Sequence, residues 1–287
     1  MNHLRIGVPS KGRLSEATVE LLRSAGLRFS SRSRSLFARV REMPIDITFL
    51  RADDIPVLCA EGAVDLGITG SDLVVESGTD VEAKLDTRMD LGFGRCRLAV
   101  CVPETSSVNN VKQLSNVRIA TSFPTVTKQF LASHGATAHV VSLSGSVEVM
   151  IALGVADAIV DLVETGSTLA ANGLKILAEI GQYETVLIQN CETRQPELAD
   201  RVIRRIEGIV IAKSYTLLEY NVARERLAEA EAITPGYNSP TVNSLEDPRW
   251  CSVRAMVVRK DVIEIMEQLD AIGAHAILQS EIANCRL

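Results

Sequence analysis

The sequence has no apolar run long enough to cross a membrane and no CxxC pair among its six cysteines, at 59, 96, 101, 191, 251 and 285. The first absence excludes a membrane-spanning helix. The second, with the irregular cysteine spacing, leaves neither a zinc ribbon nor a disulfide framework, so reduced thiols in a cytoplasm are expected. Residues 1–5 carry neither the charged nor the apolar region of a secretory leader. The four histidines, at 3, 134, 139 and 275, have no metal spacing and no orienting partner, which argues against a histidine general base. A basic excess is missing too. The formal charge of −6 opposes nucleic acid and anionic membranes alike, so any anionic ligand must be held by local groups.

What is present is an ordinary globular composition, 46% hydrophobic and 23% charged over 287 residues, sufficient for two or three domains. Short apolar runs alternate with amphipathic stretches. Strands at 4–8, 45–50 and 64–69 go with helices at 15–25 and 55–61. After the apolar run 96–102, strands at 117–121, 138–141 and 158–163 go with helices at 126–133 and 146–153. The alternation predicts βα units in two α/β lobes with mostly parallel sheets. An internal echo agrees: residues 62–71 and 154–167 share a small-residue turn, an acid, an apolar strand and a Thr-Gly-Ser exit. Two such turns facing one cleft would bind ligand at the carboxyl ends of the strands. After a helix at 196–212 the rhythm changes to strand 215–220, helix 224–233, extended 241–245, strand 251–258, helix 262–272 and strand 274–278. That is the order of a small ferredoxin-like domain.

The run 158–169 carries the most chemistry. An apolar strand delivers Asp161 and Glu164 and opens into Thr165, Gly166, Ser167 and Thr168, whose N–H and hydroxyl groups suit an anion nest. Carboxylates at one end of the loop suit ribose hydroxyls, and the nest suits a phosphate; together they suggest ribose 5-phosphate. Taken alone, the run is also ordinary turn and N-cap chemistry. Lys11 and Arg13 flank Gly12 in a strand-to-helix loop, where cations meet a pyrophosphate or triphosphate, or simply face solvent. Arg51 follows an apolar strand and is expected to project into a cleft, or to stay on the surface beside a capping Asp53. Asp72, past the Gly70-Ser71 turn, is open in the same way. Arg32, Arg34 and Arg39 read as a solvated basic face. Arg95 and Arg97 flank Cys96 at the crossover between lobes, where Arg97 would face bound anions, and Glu148 lies on the helix before the Asp161 strand.

Glu148, Gly154, Ala156, Ile159, Asp161, Thr165, Gly166, Thr168 and Leu169 form one spaced pattern. It resembles the signature of the ATP phosphoribosyltransferases that open histidine biosynthesis. The resemblance covers nearly the whole chain, through Val8-Pro9-Ser10-Lys11-Gly12-Arg13-Leu14, Met43-Pro44-Ile45-Asp46, Arg51-Ala52-Asp53-Asp54-Ile55-Pro56, Val64-Asp65-Leu66-Gly67-Ile68-Thr69-Gly70 and Gly94-Arg95-Cys96-Arg97-Leu98. Thr234-Pro235-Gly236 and Ser239-Pro240-Thr241 resemble the long, histidine-regulated form.

The resemblance implies a catalytic region like the type II periplasmic binding proteins, with one lobe at 1–94 and 186–213, a second at 95–185, and a ferredoxin-like regulatory domain at 214–287. It implies that ATP and phosphoribosyl pyrophosphate react with Mg²⁺ present. Lys11, Arg13, Asp161 and Glu164 would be catalytic, and Glu148 with Asp161, Leu162, Val163, Glu164, Thr165, Gly166, Ser167 and Thr168 would hold the sugar donor. Gly12, Arg51, Asp72 and Arg97 would hold the nucleotide. Histidine would bind at Asn221, Tyr237, Ser239, Thr241 and Ala276, Asn221 standing where some relatives carry an acid for the ligand's amine. The family also implies a homo-oligomer, hexameric in its long form, and no protein metal ligand is named. Two other readings remain open: a type I phosphoribosyltransferase for a free base, and a solute-binding module without catalysis. The first usually has two adjacent acids in its loop, whereas Leu162 follows Asp161 here.

Overall fold

Complete burial of Leu4, Ile6 and Val8 fixes β1 (Leu4–Pro9) inside a six-stranded sheet. The chain continues through α1 (Arg13–Ser24), β2 (Phe37–Arg39), β3 (Ile45–Leu50), α2 (Ile55–Ala60), β4 (Leu66–Gly70), α3 (Ser71–Glu76), α4 (Thr79–Glu82) and β5 (Leu85–Asp90). A second sheet follows with β6 (Cys96–Pro103), β7 (Arg118–Thr121), α5 (Pro124–Ser133), β8 (His139–Ser142), α6 (Val149–Ala152), β9 (Ala158–Val163), α7 (Ser167–Ala171) and β10 (Leu174–Tyr183). The chain then returns to the first sheet through β11 (Thr185–Asn190) and enters α8 (Pro196–Ser214). Last come β12 (Tyr215–Ala223), α9 (Leu227–Ile233), β13 (Thr241–Ser244), β14 (Trp250–Val258), α10 (Val262–Ala271) and β15 (His275–Glu281). The strand orders are β2-β3-β1-β4-β11-β5, β10-β6-β9-β7-β8 and β13-β14-β12-β15. The computed structural model describes residues 3–30, 35–164 and 166–287, in two units: Met1–Arg23 with Leu27–Asp200, and Ser24–Gly26 with Arg201–Leu287.

Both large sheets are mixed: four of the six strands of the first and four of the five of the second point one way, in keeping with the βα rhythm, and the rest are reversed. β1 runs parallel to β3 and β4, and β7 to β8 and β9. β2 and β11 run against the other four strands of the first sheet, and β6 runs against the other four of the second. The crossovers explain this. The chain leaves the first sheet by β5 into β6 and returns by β10 into β11, and antiparallel strands need no covering helix between them.

β6 is buried on both faces. Leu98, Val100 and Val102 pack with Phe123, Val126 and Leu131, while Ala99 and Cys101 pack with Val147, Ile159 and Leu169. Two-sided burial is why this run is continuously apolar instead of alternating. In the C-terminal unit the alternation is strict: Leu218, Tyr220 and Val222 of β12 and Cys251, Val253 and Ala255 of β14 pack with Ala230 of α9 and Leu269 of α10. The buried Tyr220 hydroxyl finds its partner in Thr234 Oγ1 at 2.7 Å, which removes the cost of an unpaired O–H.

The internal echo is structural. Asp65 donates its N–H to the Arg5 carbonyl at 2.8 Å and accepts the Arg5 N–H at 2.8 Å. Asp157 does the same with Arg118, at 2.8 and 2.9 Å. Each carboxylate thus pins the start of a parallel strand and sets the direction of the ligand-facing end.

Gly94, just before β6, has φ +69°, and a Cβ there would lie 2.5 Å from both Leu14 Cδ2 and Thr185 Oγ1. Gly94→Ala combines backbone strain with overpacking, so we expect a loss of about 2 kcal/mol and a melting temperature several degrees lower. An unchanged thermal melt would contradict this packing.

Candidate active site

β9 and the turn after it wall a cavity of about 410 Å³. Asp161 enters it from β9, Glu148 from the residue before α6, and Arg13 from the first turn of α1 in the other lobe. Burial pushes the Asp161 carboxyl above the ordinary aspartate value, the Leu162 N–H at 2.8 Å holds it back, and the Glu148 carboxylate adds to the rise. One N–H is a thin complement for a carboxylate with about four acceptor positions. Paired hydroxyls arriving at Asp161 would fill the rest.

Gly166 stands at φ +82° as the residue that starts α7, a left-handed conformation that a side chain would strain. Ser167 and Thr168 follow on the exposed side of the turn. α7 is only five residues long, so its dipole is slight. An anion held in this turn depends on local N–H and hydroxyl donors.

A second cavity, of about 650 Å³, shares Val163 and Glu164 with the first and runs on along Cys96, Arg97, Tyr183 and Glu184. Arg13 stands at the junction, paired with Glu164 and close to the Cys96 thiol. Burial alone would lower its pKa; Cys96 and Glu164 more than offset that and hold it up. The same burial pushes the Cys96 thiol and the Asp72 carboxyl upward. Arg97 supplies a further cation. Its Nε is buried without a hydrogen-bond acceptor among the described residues, and its Nη1 lies 3.7 Å from Glu179. Buried donors are almost always paired, so this N–H is free to donate to a ligand in the cavity.

A family model described as ATP phosphoribosyltransferase matches residues 51–208, and one described as the HisG C-terminal domain matches residues 212–284. The chain belongs to the ATP phosphoribosyltransferase family. It is 62% identical over 284 residues to the ATP phosphoribosyltransferase of Rhodopirellula baltica, covering 99% of this chain and 94% of that one. An ATP phosphoribosyl transferase (HisG:HisZ) complex from Thermotoga maritima matches with TM-score 0.64 and 29% identity, over 74% of this chain and 99% of that chain. A substrate-binding protein of an amino acid ABC transporter matches with TM-score 0.50 and 15% identity, over 73% and 94% of the two chains. That likeness concerns the fold alone, which is of the type II periplasmic-binding-protein kind, and a separate C-terminal domain follows it. As a member of the ATP phosphoribosyltransferase family the chain is a pentosyltransferase of histidine biosynthesis, and its length is consistent with the long form.

Of the site residues that the family resemblance implies, Arg13, Glu148, Asp161, Leu162, Val163, Glu164, Gly166, Ser167 and Thr168 line the first cavity, and Arg97 lines the second. Thr165 lies outside the described residues, as do Arg32 and Arg34. Lys11 and Gly12 are exposed next to Arg13. Asp72 is buried at the start of α3, within electrostatic reach of Arg13. Arg51 does not enter either cavity lining. It is exposed and turned onto Asp53, with N···O distances of 3.1 and 2.8 Å, because an acid two residues on is nearer than the cleft. Arg39 is exposed, in keeping with a solvated face, and pairs there with Asp46 at 2.9 Å.

Three things escaped sequence reasoning. Gln182 and Tyr183 at the end of β10, and Glu184 just after it, line the second cavity, and no residue motif there points to a ligand. Ser71 and Asp90 join them from the first lobe. Glu76 accepts the Thr125 N–H at 2.9 and 3.1 Å and the Val126 N–H at 3.0 Å, so an acid of one lobe caps α5 of the other. No local motif signals a cap supplied from fifty residues away.

Of the residues expected for histidine, Ala276 and Thr241 stand on opposite edges of the C-terminal sheet. Asn221 pairs with His275 across β12 and β15, next to Ala276, whereas Thr241 sits on β13 at the opposite edge of the sheet. Three strand spacings, about 14 Å, separate those edges.

Proposed function

We propose that the chain joins ATP to 5-phosphoribosyl 1-pyrophosphate, giving N1-(5-phosphoribosyl)-ATP and pyrophosphate. The adenine N1–C1 bond forms as the bond from C1 to the pyrophosphate oxygen breaks, and the leaving group takes the electron pair. The observation that carries this reading is the pair of adjoining cavities, one with the half-buried, sparsely hydrogen-bonded Asp161 carboxylate beside the Gly166 turn, the other with the unpaired Arg97 Nε donor. Asp161, with Glu164 beside it, would receive the ribose hydroxyls and steady positive charge at the anomeric carbon. Gly166 to Thr168 would anchor the 5′-phosphate. Arg13, with Lys11 near it, would meet the leaving pyrophosphate, and Arg97 the nucleotide phosphates. Little covalent work falls to the protein; orientation and charge do it.

Among the described residues no three of His, Cys, Asp and Glu gather to hold a metal ion. A Mg²⁺ carried in on the diphosphate, keeping water and phosphate oxygens as its ligands, suits such a site better than a protein cage. Among the same residues no helix is long and apolar enough to cross a membrane.

Histidine feedback belongs to the same proposal. Because Ala276 lies on the edge strand β15 with Asn221 beside it on β12, and Thr241 on the opposite edge strand β13, a small amino acid touching both edges would need the second one from another copy of the chain. Inhibition would then require the homo-oligomer. Thr241→Val should raise the half-inhibiting histidine concentration about tenfold without changing turnover in its absence. Unaltered sensitivity would remove Thr241 from the site. Histidine and substrate should also weaken one another's binding by equal factors.

The activity is tested by mixing the protein with Mg²⁺, phosphoribosyl pyrophosphate and ATP, and following pyrophosphate release with adenine ultraviolet absorbance. Release dependent on ATP is expected. Turnover with a free base instead would favour the type I reading, and binding without turnover the solute-binding one.

A further inference from the structure

The parallel strands of the first sheet enclose a second polar cleft at their amino ends, away from the carboxyl ends that carry the active site. It measures about 260 Å³, and Arg5, Asp46, Asp65 and Arg194 line it together with His3 and Arg39. Its charges do not cancel. Asp46 is occupied by Arg39 at 2.9 Å and His3 at 3.1 Å. Asp65 accepts the Arg5 backbone N–H on Oδ2 at 2.8 Å and the Thr193 hydroxyl on Oδ1 at 3.2 Å. The guanidinium groups of Arg5 and Arg194 make no ion pair among the described residues.

The second lobe supplies the control. Arg118 holds the place of Arg5, and Asp157 the place of Asp65, with matching backbone bonds. There the arginine folds back on its own acid, with Nε at 3.1 Å and Nη2 at 2.8 Å, and gives Nη1 to the Gly154 carbonyl at 2.9 Å. Every edge of that guanidinium is spent. In the first lobe Thr193 takes the Asp65 oxygen that would have closed the pair, and Arg5 is left facing the cleft.

We propose that this cleft binds a small tetrahedral oxyanion of the phosphate class between Arg5 and Arg194. A guanidinium presents a planar fork, and a phosphate offers separate edges to two forks approaching from different elements, which a planar carboxylate does not. α8 begins directly after Arg194 and Gln195, so the positive end of a nineteen-residue helix adds to the potential. The cleft is large enough for a phosphate or diphosphate. This site does not depend on the activity proposed above.

Calorimetric titration of inorganic phosphate tests it, with the wild-type chain, the Arg5→Gln/Arg194→Gln variant and Thr168→Ala, which scores binding at the active-site turn separately. One phosphate-binding event should weaken at least tenfold in the double variant and persist in Thr168→Ala. Neither arginine side chain holds an ion pair, so the double variant should melt like wild type; if it unfolds, Arg194→Gln alone carries the same readout. An unchanged phosphate isotherm in the arginine variants overturns the proposal, as does acetate binding in the cleft as tightly as phosphate.

Discussion

Asp161→Asn should lower kcat by about 10²–10³-fold while leaving the melting temperature equal to or above that of wild type. The two halves of this result have one cause. Asp161 is a carboxylate removed from water and set near Glu148, with a single N–H on it. The asparagine keeps an oxygen for the Leu162 N–H and loses the charge, so the folded chain sheds a desolvation cost while the transition state sheds the anion that faces its cationic sugar. The pH dependence separates the effects. Because burial raises the Asp161 pKa, the folded chain holds that proton more tightly than the unfolded chain does, and this group adds stability as pH falls from the raised value toward the ordinary one. That gain should vanish in Asp161→Asn. Activity should run the other way, falling in wild type as Asp161 protonates, with that acid limb missing from the variant's residual rate. A variant with normal turnover, or one that loses rate only because it unfolds, would remove Asp161 from the chemistry.

Arg13→Met should cut kcat/KM for phosphoribosyl pyrophosphate by about 100-fold or more, with Arg13→Lys recovering only part. In the ligand-free chain Arg13 bridges Glu164 and Cys96 at the junction of the cavities. A diphosphate arriving there competes for the same fork, so Arg13 exchanges one anion for another and does not wait unpaired. Lysine brings the charge but not the planar pair of N–H groups. Stability should change little, since Glu164 is 55% exposed and such pairs contribute about 0–1 kcal/mol. A large drop in melting temperature, with kcat/KM intact for the folded fraction, would make Arg13 structural.

The site loop was readable from sequence because its parts are contiguous: Asp161, Glu164 and Gly166 to Thr168 sit within eight residues, and a strand followed by a turn and helix brings them into one cavity. The ferredoxin-like order was readable because β12 and β14 alternate strictly between buried and half-exposed positions. The crossing strands were not. No helix separates β5 from β6 or β10 from β11, so these strands fell outside the βα rhythm, and with them Gln182, Tyr183 and Glu184. Arg51 was open to two readings in the sequence, a cleft or a surface pair, and its exposed side chain pairs with the nearby Asp53. Glu76 shows the limit of local reading, since its partners at Thr125 and Val126 are neighbours only once both lobes have folded.

The most direct test is a crystal of the chain soaked with phosphoribosyl pyrophosphate. The account predicts the 5′-phosphate in the turn at Gly166 to Thr168, the ribose hydroxyls on Asp161, and the diphosphate toward Arg13. Density for the sugar donor only along Arg97 and Tyr183, or anywhere that leaves Asp161 untouched, would contradict it.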